Sequence, residues 1–177
     1  MRIISGKFGG RRISPPHNMP HTRPTTDIAK EGLFNMLQNR VQMEGAKTLD
    51  LFGGTGCISY ELASRGAIDL TIVEKDSIML GFIKQNIEML KIENVQLLQM
   101  DVFQYLSTCK DQYDIIFAGP PYALNTIDQL PKIIVEQQLI SPEGYFILEH
   151  TPRNNYKTYP GYSFERNYGT TIFSFFE

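Results

Sequence analysis

From residue 47 onward, short apolar runs alternate with longer segments whose apolar residues recur at helical spacing. The apolar runs predict strands and read KTLDLF, LTIVEKD, VQLLQMD, YDIIFAG and GYFILEH. The segments between them predict helices and read CISYELASRGA, IMLGFIKQNIEMLKI, VFQYLSTC and IDQLPKIIVEQQLI. The closing YSFERNYGTTIFSFFE holds two β-rich runs joined at Gly169 with no helix between them. The pattern predicts an α/β fold: a seven-stranded, mostly parallel sheet with helices on both faces and an antiparallel C-terminal hairpin.

The N-terminal residues follow a different pattern. RIISGKFGGRRIS alternates and predicts a small β-hairpin that turns at Gly9-Gly10, and PPHNMPHTRPTT predicts an extended loop. A helix is expected to begin at Thr25 or Thr26, with apolar residues at helical spacing: Ile28, Leu33, Phe34 and Leu37. We expect one domain over residues 1–177, with 1–40 as a basic N-terminal extension and 41–177 as the α/β core.

Composition narrows the class of protein. The chain has 177 residues, 42% hydrophobic and 20% charged, which suits one globular domain with a sizeable core. No apolar run approaches the roughly 18 residues of a membrane span, and the N-terminus does not resemble a signal peptide. The two cysteines, Cys57 and Cys109, have no metal-ligand spacing and are too few for a disulfide framework. We expect a cytoplasmic protein with no membrane partner and no metal.

Charge is distributed unevenly along the chain. Residues 1–30 carry a net charge of +5 and the remaining residues carry −7. A basic arm on an acidic body favours binding to a polyanion such as RNA. A solvated hairpin with scattered charges is the alternative, and charge alone leaves both open.

The first predicted strand ends in DLFGGTGC. Asp50 precedes Phe52, Gly54 and Gly56, and these glycines allow a tight turn and a close approach of backbone to ligand. The spacing differs from the dinucleotide GxGxxG pattern, and no Lys-Ser/Thr pair of a phosphate-binding loop follows. An acid ahead of the glycines suits a ligand with a cationic end, and a purely structural turn is the alternative.

Acids also follow the second and third predicted strands. Glu74, beside Lys75, could accept both ribose hydroxyls, or it could be a solvated acid. Asp101 could accept from an adenine amine while Val102 offers its backbone N–H, and Asp101 could equally cap a helix. Because the carboxyl ends of parallel strands share one edge of a sheet, these residues predict a pocket for an adenosine with a cationic tail. S-adenosylmethionine fits that description.

The fourth strand ends in GPPY, residues 119–122, and here the chain resembles the class I S-adenosylmethionine-dependent methyltransferases that modify amino groups. More narrowly it resembles the bacterial RsmD-like family, which methylates the N2 amine of a guanine in 16S rRNA of the small ribosomal subunit. The resemblance rests on MRIISGKFGGRRI, TRPTTDIAKEGLFNML, LDLFGGTGCISYELASRGA, VEKD, GPPYA and YGTTIFSFF. It implies a Rossmann-like fold, S-adenosylmethionine as cofactor and rRNA as substrate.

The resemblance also implies roles for the GPPY loop. The Pro120 carbonyl would accept a hydrogen bond from the target amine, Pro120 and Pro121 would fix the loop, and Tyr122 would stack on the extruded base. Gly119 departs from the family, which has Asp or Asn there, so it removes a side-chain acceptor. Three interpretations stay open: the protein works through the backbone alone, it binds without turnover, or it is a variant of an active protein.

Arg11 and Arg12 would contact RNA phosphates. Arg23 and Thr25 match a family motif beside the active site, although Arg23 could instead form a salt bridge with a nearby acid. His150, at the end of the fifth strand, could border the substrate cleft or act as a polar cap.

Three alternatives to an rRNA methyltransferase remain. Gly119 favours a catalytically weak RNA-binding or ribosome-assembly module with the same fold. A DNA adenine-N6 methyltransferase is disfavoured because the chain has no room for a separate target-recognition domain. A nicotinamide-dependent oxidoreductase is contradicted by the glycine spacing and the terminal hairpin. We expect a monomer, since no exposed apolar repeat indicates an interface.

Overall fold

The computed structural model describes residues 1–19 and 24–177. Its strands are β1 (Lys47–Asp50), β2 (Asp69–Val73), β3 (Val95–Leu98), β4 (Tyr113–Ala118), β5 (Ile140–His150), β6 (Tyr162–Tyr168) and β7 (Thr171–Phe176). They form one sheet in the order β3-β2-β1-β4-β5-β7-β6. Strands β1 to β5 are mutually parallel, whereas β7 is antiparallel to both β5 and β6. The predicted fold class is confirmed.

Helices cover both faces of this sheet. They are α1 (Asp27–Leu37), α2 (Cys57–Ser64), α3 (Ser77–Leu90), α4 (Val102–Thr108) and α5 (Gln129–Glu136). Because neighbouring strand residues point to opposite faces, Ile115 belongs to an apolar cluster with Phe34 of α1, and Ile116 to another with Leu106 of α4. Within the described residues no helix is long and apolar enough to cross a lipid bilayer.

The N-terminal segment is anchored by a buried glutamate. Glu61 of α2 accepts hydrogen bonds from the backbone N–H groups of Ile4 (2.7 Å) and Ser5 (3.1 Å). The predicted hairpin is reduced to a single antiparallel bridge between Arg2 and Arg12, with a wide turn over residues 5–10. The turn is therefore broader than the one predicted at Gly9-Gly10, because backbone N–H groups between residues 4 and 8 donate to Glu61 and Ser64 of α2 instead of across the hairpin.

Helix α1 begins as expected, because Thr26 caps it by accepting from the backbone N–H of Ala29 at 3.2 Å. The prediction for its buried face was partly wrong, since Ile28 is 78% exposed whereas Lys30 is 1% exposed. The Lys30 ammonium donates to the Arg2 carbonyl at 2.5 Å and lies 4.0 Å from the Glu61 carboxylate. One of the six cations that made the first 30 residues basic is therefore neutralised inside the protein.

The boundary between α5 and β5 also differs from the prediction. The sequence pattern predicted helix as far as Ile140, but α5 ends at Glu136 and Gln138 adopts a left-handed φ of 56°. Ile140 instead pairs with Tyr113, and the register then shifts before Tyr145 pairs with Ile115. From that point β5 runs in register with β4 to the carboxyl edge of the sheet, which is where the site lies.

Candidate active site

A cavity of about 660 Å³ lies at the carboxyl ends of the parallel strands. Its walls come from the loops after β1, β2, β3 and β4, together with Glu149 near the end of β5. The lining includes most of the residues predicted from strand ends: Phe52, Gly54, Glu74, Lys75, Asp101, Val102, Gly119, Pro120, Pro121 and Tyr122. The topology therefore brings the predicted cofactor loops and the GPPY loop into one cavity.

The glycine loop after β1 depends on left-handed backbone. Gly54 has φ 54° and Gly56 has φ 79°, a region that L side chains rarely adopt. A Cβ on Gly56 would lie 2.4 Å from the Tyr60 ring, so any side chain there would displace that ring. Gly54 lines the cavity, whereas Gly56 does not and instead shapes the turn into α2.

Glu74 ties two loops of the cavity together. Its carboxylate accepts from the backbone N–H of Gly54 at 2.8 Å and from that of Asp76 at 2.8 Å. The loop after β1 is thereby fixed to the loop after β2. The side chain also lines the cavity beside exposed Lys75, where ribose binding by Glu74 stays a prediction.

Asp50, the last residue of β1, is buried and does not line the cavity. Its side chain is 2% exposed, Oδ2 accepts from the Ser59 hydroxyl at 2.8 Å, and Oδ1 has no hydrogen-bond partner among the described residues. Burial, with a smaller contribution from the charge of Glu74, raises the pKa of Asp50 to about 7, while the Ser59 hydrogen bond opposes the shift. A buried carboxyl with an unsatisfied oxygen suits a ligand that brings a positive charge.

Asp101 caps helix α4. Its carboxylate accepts from the backbone N–H groups of Phe103 (2.8 Å) and Gln104 (3.2 Å), which is the structural role considered as an alternative. Asp101 and the buried Val102 also line the cavity, so helix capping leaves the binding role open. Contact with an adenine stays a prediction.

The GPPY loop and β5 meet at one carboxylate. The Tyr122 hydroxyl donates to Oε1 of Glu149 at 3.2 Å, and the Thr25 hydroxyl donates to Oε2 at 2.5 Å. Glu149 is 4% exposed and Tyr122 is 40% exposed. Thr25, predicted to lie near the cofactor or the target nucleotide, does not line the cavity itself, but it contacts the cavity-lining Glu149.

Sequence reasoning missed Glu149, along with the apolar wall residues Met100, Phe103 and Leu124. The signal for Glu149 was present in the sequence, because it too is an acid near the end of a predicted strand, next to His150. The His150 ring is 1% exposed, outside the cavity lining, and hydrogen-bonded to the Ser174 hydroxyl (2.7 Å) and Thr151 carbonyl (2.9 Å). Burial lowers the pKa of His150, and its role is structural.

The basic residues among residues 1–19 lie outside the cavity lining. Arg2, Lys7, Arg11 and Arg12 are exposed, and the Arg11 guanidinium lies 5.4 Å from the centre of the Phe8 ring. Arg23 lies outside the described residues. Over residues 1–19 and 24–177 no group of His, Cys, Asp and Glu side chains could hold a metal ion.

Known proteins resemble this chain along its length. The model of the family described as conserved hypothetical protein 95 matches residues 1–177. Ribosomal RNA small subunit methyltransferase D of Buchnera aphidicola subsp. Baizongia pistaciae is 30% identical over 164 residues, covering 88% of this chain and 83% of the relative.

Solved structures agree with this match. A hypothetical protein of Thermus thermophilus superposes with a TM-score of 0.86 at 25% identity, covering 100% of this chain and 99% of that one. A 16S rRNA N2 methyltransferase of T. thermophilus, in complex with AdoMet and guanosine, superposes with a TM-score of 0.68 at 25% identity. That match covers 86% of this chain and 43% of the other. By its whole-length family match, its fold and its methyltransferase D relatives, the chain belongs to the conserved hypothetical protein 95 family, the RsmD-like family that its motifs predicted.

Proposed function

We propose that the protein transfers a methyl group from S-adenosylmethionine to the exocyclic N2 amine of a guanine in 16S rRNA of the small ribosomal subunit. The observation that carries the proposal is the single cavity that joins the glycine loop and strand-end acids to the GPPY loop. A methyl donor and an acceptor base can lie side by side only if their binding sites are continuous. The membership of the family and the name of the Buchnera relative support the same reaction.

The residues around the cavity suit the cofactor. The unsatisfied buried oxygen of Asp50 fits a cationic methionine end, and the backbone at Gly54 leaves room for close approach. Glu74 would accept from the ribose, and Asp101 and Val102 would hold the adenine. When bound, this cofactor supplies a methyl group on a sulfonium sulfur: the amine lone pair forms the N–C bond, the C–S electron pair stays on sulfur, and one proton leaves nitrogen for water.

The GPPY loop would hold the acceptor base. The lone pair of an exocyclic amine is delocalised into its ring, so the amine must be oriented by hydrogen-bond acceptors before it can attack. The Pro120 carbonyl is one such acceptor, held in place because the ring of each proline fixes its φ. Tyr122 offers a half-exposed ring on which an extruded base can stack, an interaction of about 1–3 kcal/mol. Positioning then supplies much of the rate.

RNA recognition outside the cavity would use the N-terminal residues 1–40, while residues 41–177 bind cofactor and base. Arg11, Arg12 and Arg23 would contact phosphates, which orient an RNA without reading its sequence. The substrate would be the small subunit or an assembly intermediate, met by a monomer in the cytoplasm. The AdoMet and guanosine held by the T. thermophilus 16S rRNA methyltransferase are consistent with this substrate class.

A second candidate is a catalytically weak RNA-binding or ribosome-assembly module with the same fold, and Gly119 is the observation that favours it. A lost hydrogen-bonding group at a reacting centre typically lowers the rate by about 10²–10³. The DNA adenine-N6 alternative has no comparable support from the cavity or the relatives.

The test is methyl transfer from labelled S-adenosylmethionine to small ribosomal subunits from cells that lack this protein, followed by nucleoside mass spectrometry. The expected product is N2-methylguanosine, formed at a single site and absent when the subunits are already modified. Adenine-containing duplex DNA is the matched control substrate. Cofactor binding without methyl transfer would favour the second candidate, the catalytically weak RNA-binding module. Methylated adenine in the DNA would favour the DNA adenine-N6 methyltransferase.

A further inference from the structure

We propose that Glu149 supplies the side-chain acceptor that Gly119 lacks, so that the carboxylate for the target amine stands on β5 instead of β4. The inference rests on the proposed function and names a further residue that touches the base. It requires that Glu149 lie where a side chain at residue 119 would end, that it be held in place, and that it face the cavity.

The register of the sheet puts the two residues side by side. Strands β4 and β5 are parallel, and Ala118 pairs with Leu148. Gly119 and Glu149 each follow by one residue, so they are cross-strand neighbours at the carboxyl edge. A Cβ built on Gly119 would lie 3.5 Å from Oε2 of Glu149. The Glu149 carboxylate therefore lies in contact with the place from which a residue-119 side chain would extend.

The Glu149 carboxylate is fixed there by hydrogen bonds. Thr25 donates to Oε2 and Tyr122 donates to Oε1, so each oxygen has a donor, and the group is 4% exposed. An ionised carboxylate has about four acceptor positions, so it can accept from an amine in addition to the protein donors around it. Because the carboxylate is already held in place, little conformational entropy is lost when the base binds to it.

Glu149 also faces the cavity beside the residues expected to hold the base. It lines the cavity with Gly119, Pro120 and Tyr122. The Pro120 carbonyl and the Glu149 carboxylate would then accept from the two N–H bonds of one amine. Because Tyr122 donates to the same carboxylate, the stacking ring and the acceptor are positioned together.

A second carboxylate at residue 119 would be poorly accommodated in this arrangement. An aspartate there would bring its carboxylate against Glu149, and like charges in contact raise the pKa of one of the two groups. Its Cβ would also lie 3.1 Å from the Phe117 ring, a tight contact. With Glu149 as the acceptor, the target amine would need no side chain at residue 119.

The test is a set of variants measured for methyl transfer to unmodified small subunits: Glu149→Met, which has a similar length and no oxygen acceptor, Gly119→Asp and the double variant. Glu149→Met should lower kcat by about 10²–10³ while the KM for subunits and the affinity for S-adenosylhomocysteine, measured by calorimetry, stay within about threefold. Gly119→Asp in the native background should fail to raise kcat. The double variant Glu149→Met/Gly119→Asp should recover at least tenfold over Glu149→Met.

Two matched controls separate chemistry from structure. Glu149→Met/Gly119→Ala introduces the same tight contact with Phe117 without an acceptor, and it should show no recovery. Glu93→Met removes a carboxylate from an exposed residue outside the cavity lining and should leave kcat unchanged. Recovery by aspartate but not by alanine assigns the gain to the carboxylate and not to the contact with Phe117, because both variants place a Cβ in the same space.

The inference is overturned if Glu149→Met stays within threefold of the native kcat, or if the double variant is no faster than its alanine control. A native protein that forms no methylated guanine, while still binding S-adenosylhomocysteine, would instead overturn the proposed function and the inference with it. Methyl transfer by the native protein therefore separates the two outcomes: it is present if only the inference fails and absent if the proposed function fails.

Discussion

Replacing Asp50 with asparagine should stabilise the cofactor-free protein and at the same time weaken cofactor binding. Burial raises the pKa of Asp50 from 3.8 to about 7, so its ionised form is costly in the folded chain. Asparagine keeps an oxygen for the Ser59 hydroxyl and carries no charge to desolvate. The Asp50 carboxylate thus lowers the free energy of unfolding of the protein as long as no cofactor is bound.

The size and sign of the effect follow from proton linkage. Between about pH 5.5 and 6.5 the native carboxyl stays mostly protonated, whereas the unfolded one, with a pKa of 3.8, has lost its proton. The folded state then binds more protons, so the free energy of unfolding of the native protein falls by about 1.4 kcal/mol per pH unit in this window. The advantage of Asp50→Asn over the native protein should therefore grow by about 2 kcal/mol from pH 5.5 to 8.

Urea unfolding of both proteins at several pH values measures this difference, and comparison of the two removes the contributions of other titrating groups. Asp69→Asn, at an exposed aspartate of β2, is the matched control for losing one negative charge. Calorimetry should also show S-adenosylmethionine bound about 10–100-fold more weakly by Asp50→Asn, the range expected for a hydrogen bond to a charged group. A stability difference that does not change with pH would refute the assignment of a raised pKa to Asp50.

Three further predictions concern the base, the RNA and the N-terminal anchor. Tyr122→Ala should weaken binding of the target base by about 1–3 kcal/mol whereas Tyr122→Phe, which keeps the ring, should cost much less; KM values for subunits measure both. Removing Arg11 or Arg12 should weaken RNA binding and reduce the slope of log affinity against log salt by about 0.7–0.9 for each phosphate that is no longer neutralised, as filter binding would show. Glu61→Ala removes the buried acceptor of two backbone N–H groups and one of the two carboxylates, with Asp27, that lie near the buried Lys30 ammonium, so it should cost about 3–5 kcal/mol in urea unfolding. An unchanged midpoint would show that the anchor is dispensable.

The sheet could be predicted because its signals are local. Each strand from β1 to β4 is an apolar run that ends in an acid or a glycine, and the absence of a helix after Gly169 sufficed to predict the final antiparallel pair. Lys30 could not be predicted as buried, because its partners lie far away along the chain, at Arg2 and Glu61. The end of α5 was misplaced for a similar reason. The apolar residues 139 and 140 fit either a helix or a strand, and Ile140 becomes part of a strand because it pairs with Tyr113 of β4.

Contacts between residues far apart in the sequence also limited the prediction of the site. A motif compares one position with the same position in other chains, so Gly119 is interpreted as the loss of a carboxylate. The sheet compares positions across strands, and there Gly119 lies beside Glu149, whose carboxylate is 3.5 Å from the Cβ that glycine lacks. What chemistry requires is an oxygen at a point in space, and either of two neighbouring strands can deliver it. Once β4 and β5 are known to pair as Ala118 with Leu148, the acid one residue further along β5 becomes the first place to look.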